Sequence, residues 1–139
     1  DCENDVCTED LPVNATLNVT TNITNATQNS CPSASCLCVL RYNLTGNTIT
    51  DEYFTLKNSC ANPIDITGWT VHDEARHIFT FSSFNLVVNG ELTVVTGNGS
   101  NSTTTLYWGR GSAVWNNGGD TLYLNASNST NILTKSLIP

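Results

Sequence analysis

Residues 64–73 constrain the fold more than any other stretch of this sequence. Their side chains alternate with a period of two, which places Trp69 and Val71 on one face of a strand. A face of this kind needs a second sheet to cover it. Residues 114–124 read as a strand end, an Asn-Gly-Gly turn and a second strand, in which Leu122 and Leu124 point to one side. Two Trp-bearing strands so close in sequence predict a β-sandwich core.

Five segments then occur in an order typical of one known family: residues 51–58, 64–73, 77–79, 90–94 and 115–120. In these segments the chain resembles the lamin tail domain family over residues 36–138. The resemblance implies an immunoglobulin-like fold and an interaction role, in a family found in secreted prokaryotic proteins and in nuclear lamins. It implies no catalytic residue. The chain departs from the family in its long N-terminal arm and its six cysteines.

Composition limits the classes of partner. The chain has 139 residues, a formal net charge of −7 and only five Lys and Arg residues, so it lacks the basic footprint of a nucleic-acid binder. No apolar run reaches membrane-spanning length, and we predict no membrane span. The chain has no Met, even at position 1. We interpret it as a mature product whose signal peptide has been removed, located outside the cell or at the cell surface.

The N-terminal arm alternates almost without a break. Its even positions from Asn14 to Thr24 are polar, and they predict one long strand with a polar face. The apolar face comprises Leu11, Val13, Ala15, Leu17, Val19 and Ile23. We therefore divide the chain into an extended cysteine-bearing arm (residues 1–30), a linker (31–35) and a lamin-tail-like sandwich (36–138).

Asn-x-Ser/Thr sequons predict N-linked glycans, which must lie on the surface. The predicted sites are Asn14, Asn18, Asn22, Asn25, Asn43, Asn98, Asn101, Asn125 and Asn128. The first three share the polar face of the arm, and the last four fall in inferred loops. An Asn- and Thr-rich chain without glycans is the alternative.

Six cysteines in a small chain of this kind predict disulfides in an oxidising compartment. They are Cys2, Cys7, Cys31, Cys36, Cys38 and Cys60. The spacing leaves the connectivity open, except that Cys36 and Cys38 face the same way on a strand and need different partners. We expect at least one bridge to tie the region of Cys2 and Cys7 to a domain. A zinc site formed with His72 or His77 is the alternative.

Candidate sites for chemistry are few, and we predict no enzyme, no cofactor and no metal. The segment from His72 to His77 contains both histidines together with Asp73 and Glu74, and could bind a metal or perform acid–base work. We favour the simpler interpretation, a solvated, charged turn between strands. An acidic tip at residues 1–10 fits no known calcium loop. A sugar-stacking platform, the alternative to core and rim packing, would use Trp69, Trp108, Trp115, Tyr107 and Tyr123.

The expected architecture is all-β, with no helix. We expect strands at 36–44, 51–58, 66–72, 77–81, 86–88, 91–96, 106–108, 113–116, 121–125 and 132–138. Residues 66–72 and 77–81 should pair, and 86–88 and 91–96 should flank a turn at Asn89-Gly90. The buried set should be Phe54, Leu56, Ile66, Phe79, Leu92, Val94, Leu122 and Leu124, with Trp69 and Trp115 at least half buried.

The arm suggests a function, because a strand this regular needs partners for its apolar face and its backbone. We hypothesise a structural subunit of an extracellular glycosylated fibre. It would polymerise head to tail with copies of itself by donating residues 11–24 to a neighbour. The alternative is a monomeric secreted binding or adhesion module whose arm folds onto its own domain.

Overall fold

The computed structural model describes Cys31 and residues 35–139, which belong to a unit spanning Cys31–Pro139. Predictions for the arm, including its strand, lie outside the described residues. Within them the fold is all-β, as predicted. The strands are β1 (Leu37–Asn43), β2 (Tyr53–Asn58), β3 (Ile64–Asp65), β4 (Thr70–His72), β5 (Ile78–Thr80), β6 (Asn85–Leu86), β7 (Glu91–Val95), β8 (Thr105–Tyr107), β9 (Asp120–Asn125) and β10 (Asn131–Leu137). One short 3-10 helix, Ile49–Asp51, precedes β2.

Two four-stranded sheets form the sandwich. The first has the strand order β1-β2-β7-β8, and the second has the order β10-β9-β4-β5. All neighbours are antiparallel except β7 and β8, which run parallel. A two-stranded sheet, β3-β6, completes the set. Edge strands are therefore β1 and β8 in the first sheet and β10 and β5 in the second.

The core lies between the two sheets and follows the predicted alternation. Seven of the eight predicted core residues are buried: Phe54, Leu56, Ile66, Leu92, Val94, Leu122 and Leu124. The eighth, Phe79, is half-buried and packs against the cluster. Trp115 is buried, and Trp69 is partly buried against the same cluster. Strands β4 and β9 both contribute residues to the core, because every second side chain of each strand faces the opposite sheet.

The strand predicted at residues 66–72 is confined to Thr70–His72, and the stretch at residues 64–73 is not one strand. It divides into β3 and β4 around a turn at Thr67 and Gly68. The Asp65 carboxylate accepts hydrogen bonds from both the backbone N–H and the hydroxyl of Thr67, and Gly68 has a φ of 79°. These local bonds stabilise a turn and interrupt the period of two. The expected pairing of β4 with β5 is confirmed.

The predicted turn at Asn89-Gly90 is present between β6 and β7. Asn89 has a φ of 63°, and the Gly90 N–H donates to the Val87 carbonyl. The strands beside it do not pair with each other, because β6 pairs with β3 while β7 lies between β2 and β8. The turn therefore carries the chain from one sheet to another.

The strand predicted at residues 113–116 is absent. Val114 and Trp115 are buried, but their N–H groups donate to the Glu52 carboxylate, at 2.8 and 3.2 Å. Glu52 is itself buried, at 3% exposure. A side chain here replaces the neighbouring strand that a ladder would need. The turn after Trp115 is as expected, since the Gly119 N–H donates to the Asn116 carbonyl.

Candidate functional site

The two sides of the sandwich differ. On the β1–β10 side the Tyr42 hydroxyl donates to the Ile138 carbonyl at 2.8 Å and accepts the Ile138 N–H at 2.9 Å. This pair of bonds joins the first sheet to the end of β10. On the opposite side, strands β5 and β8 line a common cavity instead of bonding to each other.

A groove runs along this open side. Two adjacent cavities of about 230 and 500 Å³ share Ser83 and Phe84 as lining residues, and together they form the groove. The smaller lies between β5 and β8, and the larger extends past β6 to the turn that precedes β7. The apolar residues that line the groove are Phe79, Phe84, Leu86, Val87 and Leu106. An extended peptide could bury alternate side chains in such a depression.

Strand β5 presents free backbone groups beside the groove. The Phe81 N–H donates to the Trp69 carbonyl, so the bonds to β4 fall at Phe81 and at Phe79, two residues away. The N–H and C=O groups of Ile78 and Thr80 consequently point away from β4. Among the described residues none accepts or donates to them. The Ile78 side chain is 51% exposed.

The opposing edge, β8, is covered by the loop before it. The Asn101 side-chain oxygen accepts the Tyr107 N–H at 2.9 Å. Ser102 forms hydrogen bonds with both backbone groups of Thr105. Its hydroxyl accepts the Thr105 N–H, and its own N–H donates to the Thr105 carbonyl. A strand could pair with β8 only after this loop moved.

The remaining edges carry devices that discourage pairing. Strand β1 has an irregular register between Val39 and Arg41, and β10 has one between Asn131 and Leu133. Each also carries a basic residue, Arg41 in β1 and Lys135 in β10. Bulges and charged side chains are common protections of edge strands. Strand β5 has neither, so of the four edges of the two large sheets it is the one best suited to accept a strand.

Comparison with protein families decides what kind of domain this is. The sequence model of the lamin tail domain family matches residues 30–136. The chain belongs to the lamin tail domain family. The resemblance in its five segments is thereby confirmed, and the immunoglobulin-like sandwich is a non-catalytic fold. No curated protein matches the chain. Among the described residues, no helix is long and apolar enough to cross a membrane.

Glu91 is the charged residue that lines the groove of this lamin tail domain. It forms ion pairs with Arg41 and, at 3.5 Å, with Lys57. The hydrogen bond from Arg41 holds the pKa of the Glu91 carboxyl below its ordinary value of 4.5; the charges of Arg41 and Lys57 add to the effect, and partial burial opposes it. The acid therefore stays ionised and paired at neutral pH.

The Glu91 pair predicts a small pH dependence of stability. Because the folded-state pKa is depressed, the contribution is present above the unfolded-state value and is lost as the pH falls through the folded-state value. We expect Glu91→Gln to lower the free energy of unfolding at pH 7 by less than about 1 kcal/mol. Denaturant titrations should show this difference shrinking as the pH falls below about 4. A difference that grows in acid would contradict the assignment.

Two disulfides are present in the described part of the lamin tail domain. Cys31 is bonded to Cys38 and Cys36 to Cys60, so Cys36 and Cys38 do have different partners. These four sulfurs are not available as zinc thiolates. The predicted bridge from Cys2 or Cys7 lies outside the described residues. The two bonds are compatible with an oxidising, extracellular location.

The predicted glycosylation sites differ in environment. Asn43 is half-buried, and its amide nitrogen donates to two backbone carbonyls, those of Thr45 and Asp51. Asn125 is half-buried as well. Three described sequons are exposed: Asn98, Asn101 and Asn128. The other four, Asn14, Asn18, Asn22 and Asn25, lie outside the described residues.

The histidine segment forms a turn, as the simpler reading held. The Asp73 carboxylate is buried and accepts both the backbone N–H and the Nδ1 of His77, each at 2.7 Å. In the described residues no group of three His, Cys, Asp or Glu side chains could hold a metal ion. The Trp residues do not form an exposed platform, since Trp108 packs edge-on against buried Trp115 and both contact the core.

Sequence reasoning missed three features of the site. The free groups of Ile78 and Thr80 depend on which edges the tertiary structure covers. The burial of Glu52 and of Asn58 was missed as well. In the sequence both look like ordinary polar residues of the half-exposed strand predicted at 51–58. Only the absence of charge from β5 was visible in the sequence.

Proposed function

We propose that this protein is an extracellular structural subunit that polymerises by strand donation. Residues 11–24 of one copy pair with β5 of the next and place their apolar side chains in the groove between β5 and β8. The observation that carries the proposal is the unprotected β5 edge lying beside an apolar groove. The chain itself offers a matching occupant, because the arm alternates apolar and polar residues over a length greater than β5.

Pairing on β5 would satisfy the free backbone groups of Ile78 and Thr80. Leu11, Val13, Ala15, Leu17 and Val19 would face Phe79, Phe84 and Leu106, and the asparagines of the arm would face solvent. A glycan on those asparagines is sterically compatible with such a contact, since polar and apolar residues lie on opposite faces. Glycans there would also protect the new edge.

A contact of this kind is head to tail. The surface that donates and the surface that accepts differ, so association continues until a ring closes or a filament grows. Glycans and disulfides suit a polymer outside the cell, where both are formed and retained. The proposal includes no catalytic activity.

The test compares two matched substitutions in the full-length protein. Ile78→Lys places a charge on the β5 edge, and Ile132→Lys places the same charge on the β10 edge at a similarly exposed isoleucine, 51% against 42%. We expect Ile78→Lys to weaken assembly about tenfold, equivalent to about 1.4 kcal/mol, since a lysine on an edge strand opposes the addition of another strand. Ile132→Lys should assemble as the parent does. Electron microscopy and sedimentation measure both.

Two further variants separate donor from acceptor. Thr80→Pro removes an N–H that points away from β4, so it should block assembly while β4–β5 pairing persists. Deletion of residues 1–30 should leave a folded domain that forms no polymer. The proposal fails if the deletion variant still polymerises, if Ile132→Lys is as damaging as Ile78→Lys, or if the native full-length protein is monomeric. The last result would favour a binding module with its arm folded back.

A further inference from the structure

A polar cleft of about 460 Å³ lies on the outer face of the second sheet, away from the groove. Strands β4, β9 and β10 form its floor, and the β4–β5 turn forms one end. Its lining residues include His72, Glu74, Arg76, Asn131 and Thr134, together with Tyr123 and Asn125 of β9. Its volume lies within the range of small-molecule sites, about 300–1,000 Å³. The proposed polymer contact does not use it.

Tyr123 forms an aromatic platform in this cleft. Leu122 and Leu124 are buried in the core, so Tyr123 and Asn125 both lie on the outer face of β9. The Tyr123 ring stacks on His72, with centroids 4.7 Å apart and planes 19° from parallel. His72 fixes the ring and covers one of its faces. The half-buried Tyr123 also lines the cleft, where its ring can contact a ligand.

Asn125 brings a ligand to the same platform. It begins the sequon Asn125-Ala126-Ser127, two residues after Tyr123 on the same face. Its side-chain oxygen accepts a hydrogen bond from the Asn131 amide at 2.9 Å, which orients the group. Among the described residues its amide nitrogen has no hydrogen-bond partner, unlike that of Asn43. That nitrogen is the atom to which an N-linked sugar attaches.

We infer that the cleft holds the first sugars of a glycan attached to Asn125, with a sugar ring packed on Tyr123. The C–H face of a sugar suits the electron-rich face of an aromatic ring. Thr134, Glu74 and Arg76 supply hydrogen-bonding groups around the hydroxyls. This inference rests on the glycosylated state included in the proposed function. It adds a particular site and a particular contact, so the Asn125 glycan stabilises the fold rather than only covering it.

The experiment removes one sequon at a time through its hydroxyl residue. Ser127→Ala abolishes glycosylation at Asn125 while keeping the Asn125–Asn131 bond, and Thr130→Ala does the same for Asn128 on the same hairpin. Both variants are made in the full-length, glycosylated protein, and glycopeptide mass spectrometry records which sites carry sugar. We expect Asn125 to be occupied. Ser127→Ala should lower the melting temperature by roughly 3–6 °C and Thr130→Ala by less than about 2 °C.

Combining Ser127→Ala with substitutions of Tyr123 tests whether the sugar contacts the Tyr123 ring. In a Tyr123→Ala background Ser127→Ala should have no further effect on the melting temperature, whereas a Tyr123→Phe background should retain the full effect because the ring face remains. Additive losses in the Tyr123→Ala background would overturn the inference. So would an unoccupied Asn125 in a protein glycosylated elsewhere.

Assembly is scored separately by electron microscopy. Polymers without sugar at Asn125 would refute this inference and leave strand donation intact. The opposite result is a protein that carries sugar at Asn125, shows the predicted dependence on Tyr123 and never polymerises. That result would refute strand donation and leave this inference intact.

Discussion

Replacing Glu52 by Ala should lower the free energy of unfolding by about 2–4 kcal/mol. Its two oxygens accept the N–H groups of Val114 and Trp115, all of them buried. Removal leaves two buried donors without partners. Loss of a buried charge offsets part of that cost, which is why the expected loss is smaller than the sum of two charged hydrogen bonds. Chemical denaturation followed by circular dichroism measures it.

Two controls separate the hydrogen bonds from the charge. Glu52→Gln keeps one acceptor oxygen and turns the other position into a donor, so its loss should be comparable to that of Ala or only slightly smaller. Glu91→Gln removes a carboxylate from a surface ion pair and should cost less than about 1 kcal/mol. If Glu52→Ala were no more destabilising than Glu91→Gln, the segment around Trp115 would be held by packing alone.

Glu52 also shows where sequence reasoning ended. The sequence predicts a strand at residues 113–116, and the buried backbone of a strand usually finds its hydrogen-bond partners in a ladder. Here a distant side chain provides them, and no local pattern announces a contact across more than sixty residues. Likewise, the Asp65 bonds to Thr67 divide the stretch at residues 64–73, although its alternation continues through the turn. In both places a side-chain acceptor competed with strand pairing and won.

The features that could be predicted depend on residues that lie close together in the sequence. Alternation placed Leu56, Leu92 and Leu124 in the core, because a strand between two sheets must face its apolar residues inward. The hairpin of β4 and β5 followed from two strands joined by a short polar turn. The order of strands in the sheets did not follow, so the sequence did not show that the strands flanking the Asn89-Gly90 turn belong to different sheets.

The candidate β5 edge could be identified only from the complete arrangement of the strands. Whether Ile78 has a partner depends on where β8, β10 and their loops lie, and these are separated from it by many residues. The sequence predicts a strand in the arm, which lies outside the described residues. An acceptor for it could be proposed only after three of the four large-sheet edges were found to be protected.

Replacing Asn58 by Ala should be the most damaging polar substitution in the described domain, with a loss of about 3–5 kcal/mol in the free energy of unfolding. Asn58 is fully buried. Its amide nitrogen donates to the carbonyls of Asn62, Leu86 and Val87 at 2.9–3.2 Å, and its oxygen accepts the Cys60 N–H at 2.8 Å. The substitution removes every one of these bonds and leaves a cavity as well.

Asn58→Asp distinguishes the donor from the shape of the side chain. It keeps the volume and the oxygen facing Cys60, but it presents a carboxylate to the Leu86 and Val87 carbonyls, so we expect a loss at least as large as that of Ala. Asn62→Ala is the control, because the contact at Asn62 uses only its backbone oxygen; it should change stability by less than about 0.5 kcal/mol. Thermal and denaturant unfolding measure all three. A fully stable Asn58→Asp variant would contradict the donor role.

If the proposed strand donation is correct, Asn58 also connects stability to assembly. The carbonyls that it holds belong to Leu86 and Val87, which line the larger part of the groove. A variant that remains folded at low temperature but lacks these bonds should therefore bind the arm of a neighbour more weakly. We expect Asn58→Ala to lose polymer at temperatures well below its own unfolding midpoint, while Asn62→Ala keeps it. If Asn58→Ala assembles normally wherever it is folded, residues 86–87 take no part in the contact, and the donated strand ends nearer to β5.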